Sequence, residues 1–155
     1  MAIYFAYGAR MSTSEMMKVS AQARALGPGS LEGYCLEFNV RSREFGGGAA
    51  NAIPDPEGRV WGVLWDVPDD QLDALGSYRG DHPSASHAID VQVEGPDGPV
   101  SARTMTVDSQ AGFVRPTEAY MRTLHAAISA HGLPPEAAQA LDRADQLPNP
   151  PTPTI

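Results

Sequence analysis

The stretch Ile3-Tyr4-Phe5-Ala6-Tyr7-Gly8-Ala9-Arg10-Met11 decides how the rest of the chain is read. Apolar and aromatic residues run from Ile3 to Tyr7, straight into Gly8. Ser12-Thr13-Ser14-Glu15 follows at once, a hydroxyl with a carboxylate three positions on, which is the spacing of a capping box. Strand, tight turn and helix start are therefore expected in quick succession. Such a corner leaves backbone N–H groups pointing outward at the turn, where they suit an anion or a carbonyl oxygen. A plain β–turn–α connection that binds nothing has the same local pattern.

Working outward, residues 2–7 read as a strand and 13–25 as a helix, with Met16, Val19, Ala23 and Leu26 on one face and Gly27-Pro28-Gly29 as its stop. Leu31 to Val40 alternates as a strand. Gly46-Gly47-Gly48 is either a flexible loop or a place where backbone approaches a ligand closely. Ala49 to Ile53 is a short, weak strand, and Pro54-Asp55-Pro56-Glu57-Gly58 reads as a turn. Arg59 to Val67 is the strongest strand. It is apolar on both faces from Val60 to Leu64 apart from Gly62, and so expected at the centre of a sheet. Pro68-Asp69-Asp70 starts a short helix through Leu75. Ala88–Glu94 and Val100–Val107 form a hairpin across Gly95-Pro96-Asp97-Gly98. Pro116-Thr117-Glu118 opens a helix carrying Tyr120, Leu124, Ala127 and Ile128, closed by His131-Gly132, and Pro134-Pro135-Glu136 begins a last one. Residues 1–146 read as one domain, and 147–155 as a Pro-rich tail expected to be extended. The order β-α-β-β-β-α-β-β-α-α fits neither a βαβ array nor a sandwich, which gives the class α+β.

Composition narrows the function classes. The chain has 155 residues, 42% of them hydrophobic, as in a folded domain with a proper core. A net charge of -8 argues against a nucleic-acid partner, whose phosphates would be repelled. Cys35 is the sole cysteine, and His82, His87, His125 and His131 show no ligand spacing, so no metal site is expected and nothing calls for a cofactor. Ser12 and Ser14 lack a His–Asp set, and Gly46-Gly47-Gly48 lacks the Lys-Ser/Thr of a phosphate loop. The N-terminus resembles no signal peptide and no apolar run reaches membrane-spanning length, so a cytoplasmic protein without a membrane partner is the expectation.

Tyr4-Phe5-Ala6-Tyr7-Gly8 resembles the opening signature of the gamma-glutamylcyclotransferase family, usually Tyr-Phe-Ala-Tyr-Gly-Ser-Asn. Gly47-Gly48, Ala50 and Val60-Trp61-Gly62-Val63-Leu64-Trp65 resemble its Gly-Gly-x-Ala stretch and Val-x-Gly strand. Tyr120, followed by Gly132-Leu133-Pro134, is similar to its C-terminal helix and exit. The resemblance implies a small mixed β-barrel flanked by helices, with a site at its mouth beside the Tyr7-Gly8 turn. It also implies cleavage of a gamma-glutamyl amide: the substrate's α-amino nitrogen attacks its own γ-carbonyl, 5-oxoproline forms and an amine leaves. The nucleophile is tethered, so the protein need only hold the oxyanion and α-carboxylate and move a proton. A glutamate in a Leu-Asp-x-x-Glu-Gly run does the latter in the family.

Counting from Val60-Trp61-Gly62 without gaps sets Leu75-Gly76-Ser77-Tyr78-Arg79-Gly80 on that run, with Arg79 at the glutamate's position. A guanidinium cannot accept a proton. Ala9 and Arg10 likewise replace the usual serine and asparagine. The resemblance thus implies a pocket of Tyr7, Gly8, Ala9, Arg10, Gly47, Gly48 and Arg79 for a small anionic or gamma-glutamyl-type ligand, with Asp81 and Tyr120 as candidate catalytic residues. Three readings remain: amide cleavage with an altered acid/base group; a pocket in which Arg10 and Arg79 clamp an anion, with different chemistry or none; and an interaction module using the acidic surface or the tail. Both arginines could equally be surface partners of Glu15, Glu44 or Asp81.

Overall fold

In the computed structural model, which describes residues 2–75, 86–109 and 112–146, five strands close into a barrel in the order β1-β3-β2-β4-β5. The strands are β1 (Ala2–Ala6), β2 (Arg24–Ser42), β3 (Gly47–Val67), β4 (Ser86–Gly95) and β5 (Gly98–Val107). The helices are α1 (Thr13–Val19), α2 (Asp69–Leu75), α3 (Glu118–Ala130) and α4 (Pro135–Ala144), and a 3-10 turn spans Ala9–Met11. Neighbouring strands are antiparallel except at the closure, where β1 meets β5 in parallel through Tyr4 and Arg103. Thr104 Oγ1 donates to the Phe5 carbonyl at 2.7 Å beside that seam. The α+β class and the small mixed barrel flanked by helices are as the sequence implied.

Two-faced strands hold the fold together. Successive strand residues point to opposite faces. On β1, Phe5 points with Tyr7 into a cluster built from all five strands and their ends, with Leu31, Ala52, Val60, Leu64, Val93 and Ala102. That cluster fills the barrel. Tyr4 and Ala6 point the other way, into a second cluster in which Val63, Trp65 and Val67 of β3 meet Met16, Leu124, Ile128 and Leu141 of the helices. The unbroken apolar run of β3 is thus explained: it lies between β1 and β2 and is buried on both sides. Gly62 interrupts that run because β1 passes too close; a Cβ there would lie 2.3 Å from the Ala6 carbonyl oxygen.

Three expectations need correction. The first helix ends at Val19, not near residue 25. Ser20 is fully buried and its hydroxyl donates to Gln71 of α2, so a tertiary contact overrides the helix-forming residues that follow. Leu26, expected on the helix's apolar face, lies in β2 and is exposed. Gly27-Pro28-Gly29 does not stop a helix either. It lies within β2, where Gly27 at φ 125° marks a register shift against β3. Finally, the weak strand, the turn and the strong strand expected over 49–67 are one strand, β3. The Pro-Asp-Pro-Glu-Gly segment is an excursion within it, between the pairs Tyr34–Pro54 and Glu32–Arg59, and carries its own Asx bond from Glu57 N to Asp55.

The later elements follow the sequence closely. Thr117 caps α3 by accepting from Tyr120 N at 3.1 Å, and Tyr120, Leu124, Ala127 and Ile128 are buried. Gly132, at φ 70°, follows the helix end. His131 there packs edge-on to Trp65 at 5.4 Å and sits 3.3 Å from Thr13 Oγ1, tying α3 to the start of α1. Burial lowers its pKa from the usual imidazole value, against an opposing hydrogen bond to the Met11 backbone. The folded chain therefore binds this proton less readily than the unfolded one. His131's contribution is complete above the ordinary imidazole range and is lost as pH falls through the unfolded value, roughly 6.5, toward the folded one. His131→Phe should accordingly show a smaller loss of unfolding free energy than the parent on acidification through that window. Parallel losses in urea titrations of the two proteins would refute the assignment.

Candidate functional site

The turn after β1 opens beside a cavity of about 170 Å³. Tyr7, Gly8, Ala9 and Arg10 line it together with Tyr120 of α3 and Ala49 and Ala50 of β3, and a Cβ on Gly8 would lie 3.5 Å from the Tyr120 hydroxyl. The geometry follows from local structure. The 3-10 turn is closed by Met11 N to Gly8 O at 3.0 Å and Ser12 N to Ala9 O at 2.9 Å. The amides of Ala9 and Arg10 stand ahead of that ladder and are not used by it. Two tyrosines fix the walls from behind. The Tyr7 hydroxyl donates to the Met105 carbonyl and accepts from Ala52 N, joining β1 to β5 and β3. The Tyr120 hydroxyl accepts from Ala50 N at 3.0 Å, which brings α3 against the stretch that follows Gly47-Gly48. Its ring packs on Phe45 at 4.8 Å.

Among the described residues, four charged side chains line the cavity: Arg10, Glu15, Lys18 and Glu44. Arg10 donates through Nη1 to the carbonyl of Leu75, the last residue of α2, at 2.9 Å, and also faces the Tyr4 hydroxyl. A guanidinium has five N–H donors, so this anchorage does not exhaust it. Glu15, Lys18 and Val19 of α1 line the cavity at i, i+3 and i+4 spacing, and Glu44 joins them from the β2–β3 connection. Lys18 Nζ donates to Glu15 Oε1 at 2.8 Å. The lysine side chain is largely exposed (63%), whereas that of Glu15 keeps 18%. The capping box expected of Glu15 is not formed: Ser12 makes no side-chain cap and pairs instead with Ser14 Oγ at 3.1 Å. Burial raises the pKa of Tyr4, with Arg10 opposing, and raises that of Tyr7 as well.

The structure thus brings together Tyr7, Gly8, Ala9, Arg10 and Tyr120. Gly47 and Gly48 are not among the cavity's lining residues. The backbone that approaches them is the chain's own: Gly48 N donates to Arg115 O at 2.9 Å, and a Cβ on Gly48 would lie 1.8 Å from the Val114 carbonyl oxygen. The residues of that stretch at the cavity are Ala49 and Ala50 instead. Arg79, Asp81 and His82 lie outside the described residues, as does the tail 147–155. Sequence reasoning assigned Glu15 to a cap, offered Glu15 and Glu44 only as surface partners of the arginines, and overlooked Lys18. The i, i+3, i+4 pattern of Glu15, Lys18 and Val19 was the available signal, since it sets all three on one face of a helix that starts beside the turn. Among the described residues no group of three or more His, Cys, Asp or Glu is arranged to hold a metal, and no helix is long and apolar enough to cross a membrane.

Comparison with known proteins points the same way as this geometry. The model of the AIG2-like family matches residues 59–141. Gamma-glutamylcyclotransferase of Bos taurus is 25% identical over 145 residues, which span 90% of this chain and 77% of that protein. The Homo sapiens protein of the same name is 24% identical over 144 residues, 90% of this chain and 76% of the relative. A solved structure of a gamma-glutamyl cyclotransferase superposes with a TM-score of 0.84 at 23% identity, covering 97% of this chain and 91% of the other.

Proposed function

Since the chain belongs to the AIG2-like family, with the fold of the gamma-glutamylcyclotransferases, we propose that it cleaves a gamma-glutamyl or closely related amide of a small molecule at the barrel-mouth cavity, with an altered acid/base group. The supporting observation is the cavity itself, set where the Tyr7–Arg10 turn faces Tyr120. The turn amides of Ala9 and Arg10, which its 3-10 ladder does not use, receive the developing oxyanion. Arg10, held in place through Leu75, attracts the substrate's carboxylate. Ring closure is intramolecular, so holding the chain folded supplies much of the rate. A guanidinium at position 79 cannot carry the proton, and the carrier is another group. Asp81 and Tyr120 remain candidates for it.

A second reading, a non-catalytic pocket for a small carboxylate ligand, has the guanidinium at position 79 in its favour. Incubation with gamma-glutamyl amides of small amino acids, followed by chromatographic detection of 5-oxoproline, separates the two. The enzyme reading expects 5-oxoproline and free amine in equal amounts, well above the rate without protein. Absence of product across such a set would sink it. In either reading, 5-oxoproline at a hundredfold excess over its dissociation constant raises stability by ~2.7 kcal/mol. No thermal shift with 5-oxoproline or glutamate would leave only an interaction module.

A further inference from the structure

Among the described residues, the cavity has one group suited to the proton transfer, and it is not at the position that the resemblance gives to the family's glutamate. Among the described residues, the polar groups around the cavity are tyrosine hydroxyls, Ser42, Arg10, Lys18, Glu15 and Glu44. Hydroxyls are not bases near neutral pH, and the Tyr7 hydroxyl is already committed to the Met105 carbonyl. Arg10 cannot give up its proton. Lys18 is held in its charged form by Glu15, chiefly through their hydrogen bond. That leaves the two carboxylates. Glu44 is an exposed residue of the β2–β3 connection. Glu15 sits on a helix, is largely withdrawn from solvent, and is oriented by Lys18 at 2.8 Å. A carboxylate so held is pre-positioned for a proton it must both take and return.

We infer that Glu15 is the proton carrier of this chain, moving a proton from the attacking α-amino nitrogen to the leaving amine. The inference rests on the proposed amide cleavage. The α-amino group reacts as the free amine, its first proton having gone to water. As the new C–N bond forms at the γ-carbonyl carbon, the attacking nitrogen loses a proton to the Glu15 carboxylate. The resulting oxyanion rests on the turn amides. Glu15 then delivers that proton to the leaving nitrogen as the old C–N bond breaks, so the carboxylate is regenerated and 5-oxoproline and a neutral amine depart. The amine takes its last proton from water.

The test is steady-state kinetics on a gamma-glutamyl amide that the parent turns over, with Glu15→Gln, Glu15→Asp and Asp81→Asn. Glu15→Gln should lower kcat by about 10²–10⁴-fold with KM within a few-fold, and should bind 5-oxoproline as the parent does. Glu15→Asp, which keeps the acid on a shorter arm, should recover part of that loss. If Glu15→Gln retains kcat within a few-fold, or if the loss falls on Asp81→Asn instead, the assignment is overturned while amide cleavage stands. A parent that turns over no gamma-glutamyl amide overturns both.

Discussion

Gly48→Ala is expected to lower the melting temperature by about 6–12 °C, because it strikes where the chain passes closest to itself. The new methyl would lie 1.8 Å from the Val114 carbonyl oxygen, and the atom in its way is backbone, not the tip of a side chain. The segment before α3 must therefore move as a unit. Moving it endangers two hydrogen bonds, Gly48 N to Arg115 O at 2.9 Å and Val114 N to Phe38 O at 2.8 Å. Overpacking costs about 1–3 kcal/mol and each lost bond about 1 kcal/mol, so a total of at least about 3 kcal/mol is expected. Displacement of the segment also shifts Tyr120, three residues beyond Thr117, and with it the contact to Ala50 N. A scanning calorimetry trace within a degree or two of the parent's would show that the segment yields more easily than the packing implies.

Phe5→Ala should be nearly as damaging for the opposite reason. Phe5 has no exposed surface and fills the barrel from its shortest strand, in contact with residues from its neighbours around the ring. The truncation leaves a cavity that closed strands cannot collapse to fill, and such changes cost about 3–5 kcal/mol. Urea unfolding should show a lower midpoint with an unchanged slope, since the surface exposed on unfolding is the same. Retention of the parent's midpoint would mean that the barrel interior repacks, contrary to the closed architecture.

These two sites also show why the sequence was legible in some places and not others. Period and burial were readable: the apolar runs at Tyr4–Tyr7 and Val60–Leu64 and the helical spacing from Tyr120 to Ile128 all report buried faces. Glycine and proline were the misleading residues. Gly27 and the Pro54–Gly58 segment carry turn chemistry, yet β2 and β3 spend it on irregularities that bend two long strands around the barrel. A stop and a bend look alike when the partner strand is out of view. The site divides in the same way. Tyr7, Gly8, Ala9, Arg10 and Tyr120, named from the motif, do line the cavity. Gly47 and Gly48 were assigned to a ligand because nothing local reveals that Val114 and Arg115, more than sixty residues on, would occupy that space. Glu15 was missed as a cavity residue because a cap and a binding face require the same position on a first helical turn.

The two-faced β1 has a further consequence for how such a protein can diverge. Its side chains are committed to both clusters, and the cavity turn begins immediately after it. The shape of the opening is therefore inherited with the scaffold. The residues proposed for its chemistry, Arg10, Glu15 and Lys18, sit outside those clusters, on half-buried or exposed positions of the turn and α1. A lineage can exchange those residues one by one without renegotiating the architecture, so geometry and chemistry here are separately heritable traits.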